Sequence, residues 1–111
     1  MIYRIVIVCQ FGASSSLLVE KMRKAAEDQG VRVQILAFSD LQSKPAIDNV
    51  DIVLIAPQVR FKVEKIKAAQ GFTGIPVMNI ETEDYGNMDG SKILSLAINE
   101  VDHTKFASNI D

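Results

Sequence analysis

Two short, unbroken runs of apolar residues constrain the fold of this chain more than any other feature. Ile5–Cys9 reads Ile-Val-Ile-Val-Cys, and Ile52–Ala56 reads Ile-Val-Leu-Ile-Ala. β-Branched residues favour strands, and a strand without polar alternation is typically covered on both of its faces. Such strands occupy the centre of a parallel sheet, so the sequence predicts an α/β fold.

Two further segments predict strands at the edges of that sheet. Val31–Phe38 alternates partly between apolar and polar residues, as a strand with one exposed side does. Pro76–Ile80 begins with proline, which lacks a backbone N–H and is tolerated at a sheet edge. With right-handed crossovers and the apolar runs in the centre, the predicted order of the four parallel strands is 2-1-3-4.

Amphipathic helices are predicted after the strands, covering both faces of an open sheet. Their apolar faces are Leu18, Met22, Ala25 and Ala26 before Gly30; Val59, Val63 and Ile66 before Gly71; and Ile93, Leu94, Ala97, Ile98 and Val101. A polar connection over residues 40–49 and an acidic loop over residues 81–89 join the remaining elements. We therefore expect one domain over residues 1–102, followed by a loosely held tail at residues 103–111.

Composition excludes several classes of protein. The 111 residues carry 12 basic and 14 acidic side chains, and a net charge of −2 argues against a nucleic-acid-binding protein. One cysteine cannot form an internal disulfide, and no apolar run has the length of a membrane span or a secretory signal. We expect a cytoplasmic protein without a metal or cofactor, in which His103, the sole histidine, lies at the surface.

The charge is distributed unevenly along the chain. Residues 1–67 hold 10 basic and 7 acidic side chains, a net charge of +3, whereas residues 68–111 hold 2 basic and 7 acidic, a net charge of −5. The clusters are Arg60, Lys62, Lys65 and Lys67 on the basic side and Glu81, Glu83, Asp84 and Asp89 on the acidic side. Solvated surface and partner docking are both consistent with this pattern.

The cysteine lies where an open α/β sheet binds its ligands. Crossovers from strands 1 and 3 leave toward opposite faces, and ligands bind beyond the carboxyl ends of the strands at that point. Cys9 ends strand 1, and a Gly- and Ser-containing segment follows it and opens a helix: Gln10, Phe11, Gly12, Ala13, Ser14, Ser15 and Ser16. The N–H groups and dipole of a helix N-terminus stabilise an anion. The sequence therefore predicts Cys9 as a nucleophile and residues 10–16 as a loop that holds a phosphoryl group, against the alternative of a small core residue.

Three other residues are candidates for auxiliary roles. Gln58 follows strand 3 and can hydrogen-bond a phosphoryl oxygen or cap a helix, Tyr85 can order the acidic loop or contact a partner, and Asp89 can cap the last helix or act as an acid. The chain has neither a G-x-G-x-x-G nor a G-x-x-x-x-G-K-[ST] motif for nucleotides. At the end of strand 3, where a response regulator has its acceptor aspartate, it has Ile55-Ala56-Pro57.

The combination of these segments resembles a known family. The motifs that carry the resemblance stand at the same spacings as in that family. They are Cys9 with Gly12, Ser14 and Ser16, then Ala56-Pro57-Gln58, then Tyr85-Gly86 and Asp89-Gly90. Residues 4–101 resemble the enzyme IIB component of the lactose/cellobiose (chitobiose, β-glucoside) family of the bacterial phosphoenolpyruvate-dependent sugar phosphotransferase system.

The resemblance implies a phosphoryl carrier. Cys9 would take a phosphoryl group from a phosphohistidine of the IIA component and pass it to a cellobiose-, chitobiose- or lactose-like sugar held by the membrane IIC component. We expect a monomer that binds these two partners in turn, in the cytoplasm and transiently at the inner face of the membrane.

The loop also resembles that of low-molecular-weight tyrosine phosphatases. In those enzymes an arginine clamps the phosphoryl oxygens at the position held here by Ser15. The absence of a guanidinium at that position removes a large electrostatic contribution to hydrolysis and favours transfer to an acceptor. A cysteine-dependent phosphatase-like hydrolase, with Asp89 as its acid, and a non-catalytic regulatory interaction domain remain the alternatives.

Overall fold

A computed structural model describes residues 2–10, 13–38, 49–62, 64–65 and 75–108. The elements in chain order are β1 (Ile2–Val8), α1 (Ala13–Gln29), β2 (Arg32–Phe38), β3 (Ile52–Ile55), a 3₁₀ segment (Pro57–Lys62), β4 (Val77–Asn79), α2 (Thr82–Gly86) and α3 (Gly90–Ser108). The polar connection at residues 40–48, and most of the helix predicted after β3, lie outside the described residues.

The four strands form one parallel sheet in the order β2-β1-β3-β4, which confirms the predicted topology. Ile5–Val8 and Ile52–Ile55 are almost completely buried, as the two unbroken apolar runs predict. In the edge strand β2 only Ile35 is buried, which agrees with its partial alternation. Burial on both faces thus separates the central strands from the edges.

Helices α1 and α3 pack against each other. Leu18 and Met22 of α1 and Ile93 and Leu94 of α3 are fully buried members of the core. The helices approach so closely that a Cβ atom on Gly90 would lie 2.6 Å from the Lys21 carbonyl carbon. The step from β1 to β2 and the step from β3 to β4 run in opposite directions across the sheet. The preference for right-handed crossovers therefore predicts that α1 and the segment leaving β3 at Pro57 lie on opposite faces.

The structure adds detail to three of the predicted segments. The acidic loop contains the short helix α2, whose first turn carries Glu83 and Asp84, where negative charge complements the helix dipole. The segment after β3 begins as a 3₁₀ helix rather than an α-helix, with a non-helical residue at Val59. Helix α3 begins three residues before Ile93, the first residue of the predicted apolar face, and continues beyond Val101, the last one. Asp89 caps its first turn and Lys105 contacts Asp51 near its end, and the apolar periodicity reports neither contact.

Side-chain contacts hold the second half of α3 against the amino ends of the strands. The Asp51 carboxylate accepts a hydrogen bond from the backbone N–H of Arg4 at 2.9 Å and lies 3.4 Å from the Lys105 ammonium. The Tyr3 hydroxyl donates to Asp102 at 2.9 Å. Residues 103–108, placed by the sequence in a loosely held tail, continue helix α3 beyond the contacts of Asp102 and Lys105. Residues 109–111 lie outside the described part.

Candidate active site

Cys9 is the first residue after β1 and is 3% exposed. Its backbone N–H donates to the Phe38 carbonyl oxygen at 2.9 Å, and its thiol donates to the same oxygen at 3.6 Å. Phe38 is the last residue of the neighbouring strand β2. The sulfur is therefore held near the carboxyl end of β2, on the side of the sheet where the carboxyl ends of all four parallel strands lie.

The segment that follows β3 passes beside Cys9. The Ala56 N–H donates to the Val8 carbonyl at 2.8 Å, which continues the β1–β3 ladder up to the residue before Cys9. Gln58 lies two residues further on, exposed, in the 3₁₀ segment. The structure thus places Cys9 and Gln58 after neighbouring strands, and Gln10 is also exposed there.

Helix α1 begins at Ala13, so Ser14, Ser15 and Ser16 belong to its first turn rather than to the preceding loop. The first four N–H groups of an α-helix have no acceptor within the helix, and together with the dipole they favour an anion. Ser16 is exposed. Phe11 and Gly12, and the side chains of Ala13–Ser15, lie outside the described residues.

Arg60 links the two loops that follow β3 and β4, a contact that the sequence did not predict. Its Nε donates to the Pro57 carbonyl at 3.3 Å, and its Nη2 donates to the Thr82 hydroxyl at 2.9 Å. Thr82 is the first residue of α2. The guanidinium therefore fixes α2 to the 3₁₀ segment at the same edge of the sheet as Cys9.

Asp89 is a helix cap. Its Oδ1 accepts the Lys92 N–H at 3.1 Å, the position of an N-cap hydrogen bond at the start of α3. The adjacent Gly90 packs on the backbone of Lys21, about 12 Å along α1 from its first residue at 1.5 Å per residue. The geometry does not bring Asp89 to Cys9 and therefore does not favour an acid role.

Tyr85 and Asp84 are buried in α2, 7% and 4% exposed. The burial of Tyr85 agrees with the interpretation that it orders this segment. Asp84 lies 3.0 Å from the Lys92 ammonium through Oδ1, and its Oδ2 has no hydrogen-bond partner among the described residues. The hydrogen bond and charge of Asp84 raise the pKa of Lys92. In the sequence Asp84 belongs to the same acidic cluster as the exposed Glu81 and Glu83, and composition cannot distinguish a buried acid from its solvated neighbours.

The arrangement is suited to covalent chemistry at sulfur with charge stabilisation by α1. Within the described ranges, no three or more His, Cys, Asp and Glu side chains form a group that could hold a metal ion. Nor does any helix in those ranges have the length and hydropathy needed to cross a bilayer.

Comparison with known proteins identifies the family. Residues 4–96 match the family described as PTS system, Lactose/Cellobiose specific IIB subunit. The chain is 38% identical over 104 residues to the PTS system cellobiose-specific EIIB component of Lactococcus lactis subsp. lactis, covering 86% of this chain and 93% of that one.

Two further proteins extend the comparison. The solution structure of the cellobiose-specific phosphotransferase IIB component from Borrelia burgdorferi matches with a TM-score of 0.75 and 36% identity, over 94% of this chain and 95% of that one. The PTS system lactose-specific EIICB component of Streptococcus mutans serotype c is 32% identical over 81 residues, which are 73% of this chain and 14% of that longer protein. The fold, the cysteine after β1 and the match over residues 4–96 agree, and the chain belongs to the lactose/cellobiose-specific IIB family, the phosphoryl carriers of the sugar phosphotransferase system.

Proposed function

We propose that Cys9 is the residue that carries the phosphoryl group, accepted from a phosphohistidine of the IIA component and passed to a sugar bound by the membrane IIC component. The observation that carries this proposal is the position of Cys9 between the end of β1 and the start of α1. The longer lactose-specific EIICB relative supports the acceptor, because it contains a IIB-like region within one polypeptide with a further component.

The chemistry needs one nucleophile and a site that tolerates negative charge. The Cys9 sulfur attacks phosphorus, the P–N bond to the donor imidazole breaks, and the thiol proton leaves to the imidazole or to solvent. In the second transfer a sugar hydroxyl attacks phosphorus, the S–P bond breaks, and the hydroxyl proton balances the released thiolate. The free N–H groups of the first turn of α1, in residues 13–16, stabilise the phosphoryl oxygens throughout.

Two observations favour transfer over hydrolysis. Ser15 stands where a phosphatase of similar loop has its arginine, so no guanidinium from that position clamps the transferred group. Asp89, the candidate acid, has its carboxylate engaged as the cap of α3. The phosphocysteine would then persist until an acceptor sugar arrives, which is what a carrier requires.

The setting proposed for this reaction is the cytoplasmic side of the membrane, with the chain as a monomer that binds each partner in turn. The sugar is of the cellobiose, chitobiose or lactose type. Gln58 and the backbone of residues 10–16 are the groups proposed to contact the phosphoryl oxygens, because they lie after the neighbouring strands β3 and β1. Tyr85 is proposed to keep α2 in place beside them.

Reconstitution of the phosphoryl relay tests this function. With phosphoenolpyruvate, the two general carrier proteins and a cognate IIA component, intact-protein mass spectrometry should show one phosphoryl group on this chain, and peptide mapping should place it on Cys9. Cys9→Ser is the matched control and should remain unmodified, with sugar phosphorylation lost. An unmodified wild-type chain in the presence of phosphorylated IIA contradicts the proposal, and rapid Cys9-dependent turnover of an aryl phosphate would favour a hydrolase instead.

A further inference from the structure

The edge strand β2 directs part of its backbone away from the sheet. Strands β1 and β2 pair in parallel, with Val8 opposite Phe38. The backbone N–H of Cys9 donates to the Phe38 carbonyl, so the backbone groups of Phe38 point toward β1. N–H and C=O groups of successive residues in a strand point to alternate sides. The backbone N–H and C=O groups of Gln34, Leu36 and Phe38 therefore face β1. Those of Val33, Ile35 and Ala37 face outward, away from the sheet.

Arg23 occupies the centre of that outward row. It lies on the exposed side of α1, and its Nη2 donates to the Ile35 carbonyl at 3.0 Å. The register assigns this carbonyl to the outward side of β2, so the contact is not part of the sheet ladder. The guanidinium takes the place that a donor on a neighbouring strand would have.

The outward row is complementary to itself. A two-fold axis through Ile35 would set β2 of a second copy antiparallel, with Val33 opposite Ala37, Ile35 opposite Ile35, and Ala37 opposite Val33. Every outward N–H would then meet an outward C=O. Exposed edges of this kind pair readily unless the protein blocks them. Pairing in this register would use the Ile35 carbonyl of both copies, and Arg23 engages that carbonyl within each chain.

We propose that Arg23 guards the β2 edge and prevents antiparallel pairing with the β2 strand of a second copy of this chain. The proposal concerns the described edge and does not depend on which phosphoryl donor or acceptor the protein uses. It has a consequence for the site, because β2 ends at Phe38, whose carbonyl holds Cys9. A second copy on this edge would extend the sheet beside the residues that the partners must reach.

The test is the oligomeric state of matched variants. Arg23→Met should give a concentration-dependent rise of the mass measured by sedimentation equilibrium, toward about twice the monomer mass, while the wild type stays monomeric. Lys24→Met is the charge-matched control: Lys24 is also exposed on α1, but it lies beside Asn87 and Met88 rather than beside β2, so this variant should stay monomeric. Arg23→Lys keeps a cationic stem without the planar fork, so its dimer should be weaker than that of Arg23→Met.

A second substitution tests the register. Ala37 is exposed and its N–H faces outward, so proline there removes a group needed by a second copy and none needed by β1. The double variant Arg23→Met with Ala37→Pro should return to a monomer. In the Arg23→Met dimer, amide exchange at Val33, Ile35 and Ala37 should slow relative to the monomer, with little change at Gln34, Leu36 and Phe38.

Two results would overturn the proposal. One is that folded Arg23→Met and Arg23→Lys remain monomeric at the highest concentration reached. The other is that Arg23→Met dimerises with amide exchange unchanged at Val33, Ile35 and Ala37, because the contact would then lie elsewhere. Neither readout involves phosphorylation of Cys9, so failure of this inference is distinguishable from failure of the proposed function.

Discussion

The close packing of α1 on α3 predicts a specific cost for adding one methyl group at Gly90. In Gly90→Ala the new Cβ would lie 2.6 Å from the Lys21 carbonyl carbon and 2.7 Å from the Met22 nitrogen. These are backbone atoms, so relief requires the two helices to move apart. Overpacking of this kind costs about 1–3 kcal/mol, and rigid neighbours place the cost near 3 kcal/mol.

The same substitution also has a favourable contribution. Alanine is better than glycine in a helix by up to about 1 kcal/mol. The net loss in the free energy of unfolding is therefore about 2 kcal/mol. With a urea m value of about 2 kcal/mol/M, the midpoint of unfolding should fall by about 1 M.

Gly86→Ala is the matched control, because a Cβ there meets no atom within 4 Å and Gly86 ends α2. It should leave the free energy of unfolding unchanged or raise it by at most about 1 kcal/mol, so the urea midpoint should not fall. Circular dichroism in urea measures both variants. A Gly90→Ala midpoint equal to or above the wild-type value would refute the argument, and an equal fall in both variants would show that the contact with α1 is not its cause.

Three further predictions concern the core, the cap and the alkaline limit. Met22→Ala should lower the free energy of unfolding by about 2–5 kcal/mol in urea denaturation, because Met22 is completely buried; a smaller loss would mean that the site collapses around the alanine. Asp89→Ala should cost about 0.5–2 kcal/mol by removing the cap on the Lys92 N–H, with the rate of Cys9 phosphorylation unchanged; a large loss of that rate at full stability would instead indicate a chemical role. Partial burial, together with the hydrogen bond to Asp102, raises the pKa of Tyr3. The contribution of the neutral hydroxyl to the free energy of unfolding is therefore present below the unfolded pKa near 10 and is lost as pH rises through the folded pKa. Tyr3→Phe should therefore be less stable than wild type at neutral pH, with a difference that shrinks in alkaline denaturation curves, and a constant difference would contradict this linkage.

Part of the candidate site could be predicted because it follows from local pattern and handedness. Cys9 directly follows an apolar run, and any such run in a parallel sheet has its carboxyl end at the ligand-binding edge. The neighbouring position of Gln58 follows in the same way from the second run. The first residue of α1 is harder to predict from the sequence, because Gly and Ser in residues 12–16 suggest a loop although the backbone is helical from Ala13.

Other features required contacts between distant parts of the chain. Glu83 and Asp84 are adjacent acids in the sequence, but only Asp84 turns inward, toward Lys92. The acidic cluster therefore has a buried structural member and exposed ones. The basic cluster differs: Arg60 and Lys65 are both exposed, and the contacts of Arg60 with Pro57 and Thr82 depend on how the segments after β3 and β4 pack.

The sequence by itself determined the α/β class, the strand order and the place of Cys9, because apolar periodicity and right-handed crossovers are local or nearly local properties. Only the tertiary structure decided which polar groups meet: Arg23 with the Ile35 carbonyl, Asp89 with the start of α3, and Tyr3 with Asp102. The Tyr3 contact joins β1 to the far half of α3, where the apolar pattern had already ended. A polar side chain is compatible with solvent, a cap or a buried partner, and only the packing of distant elements selects among these.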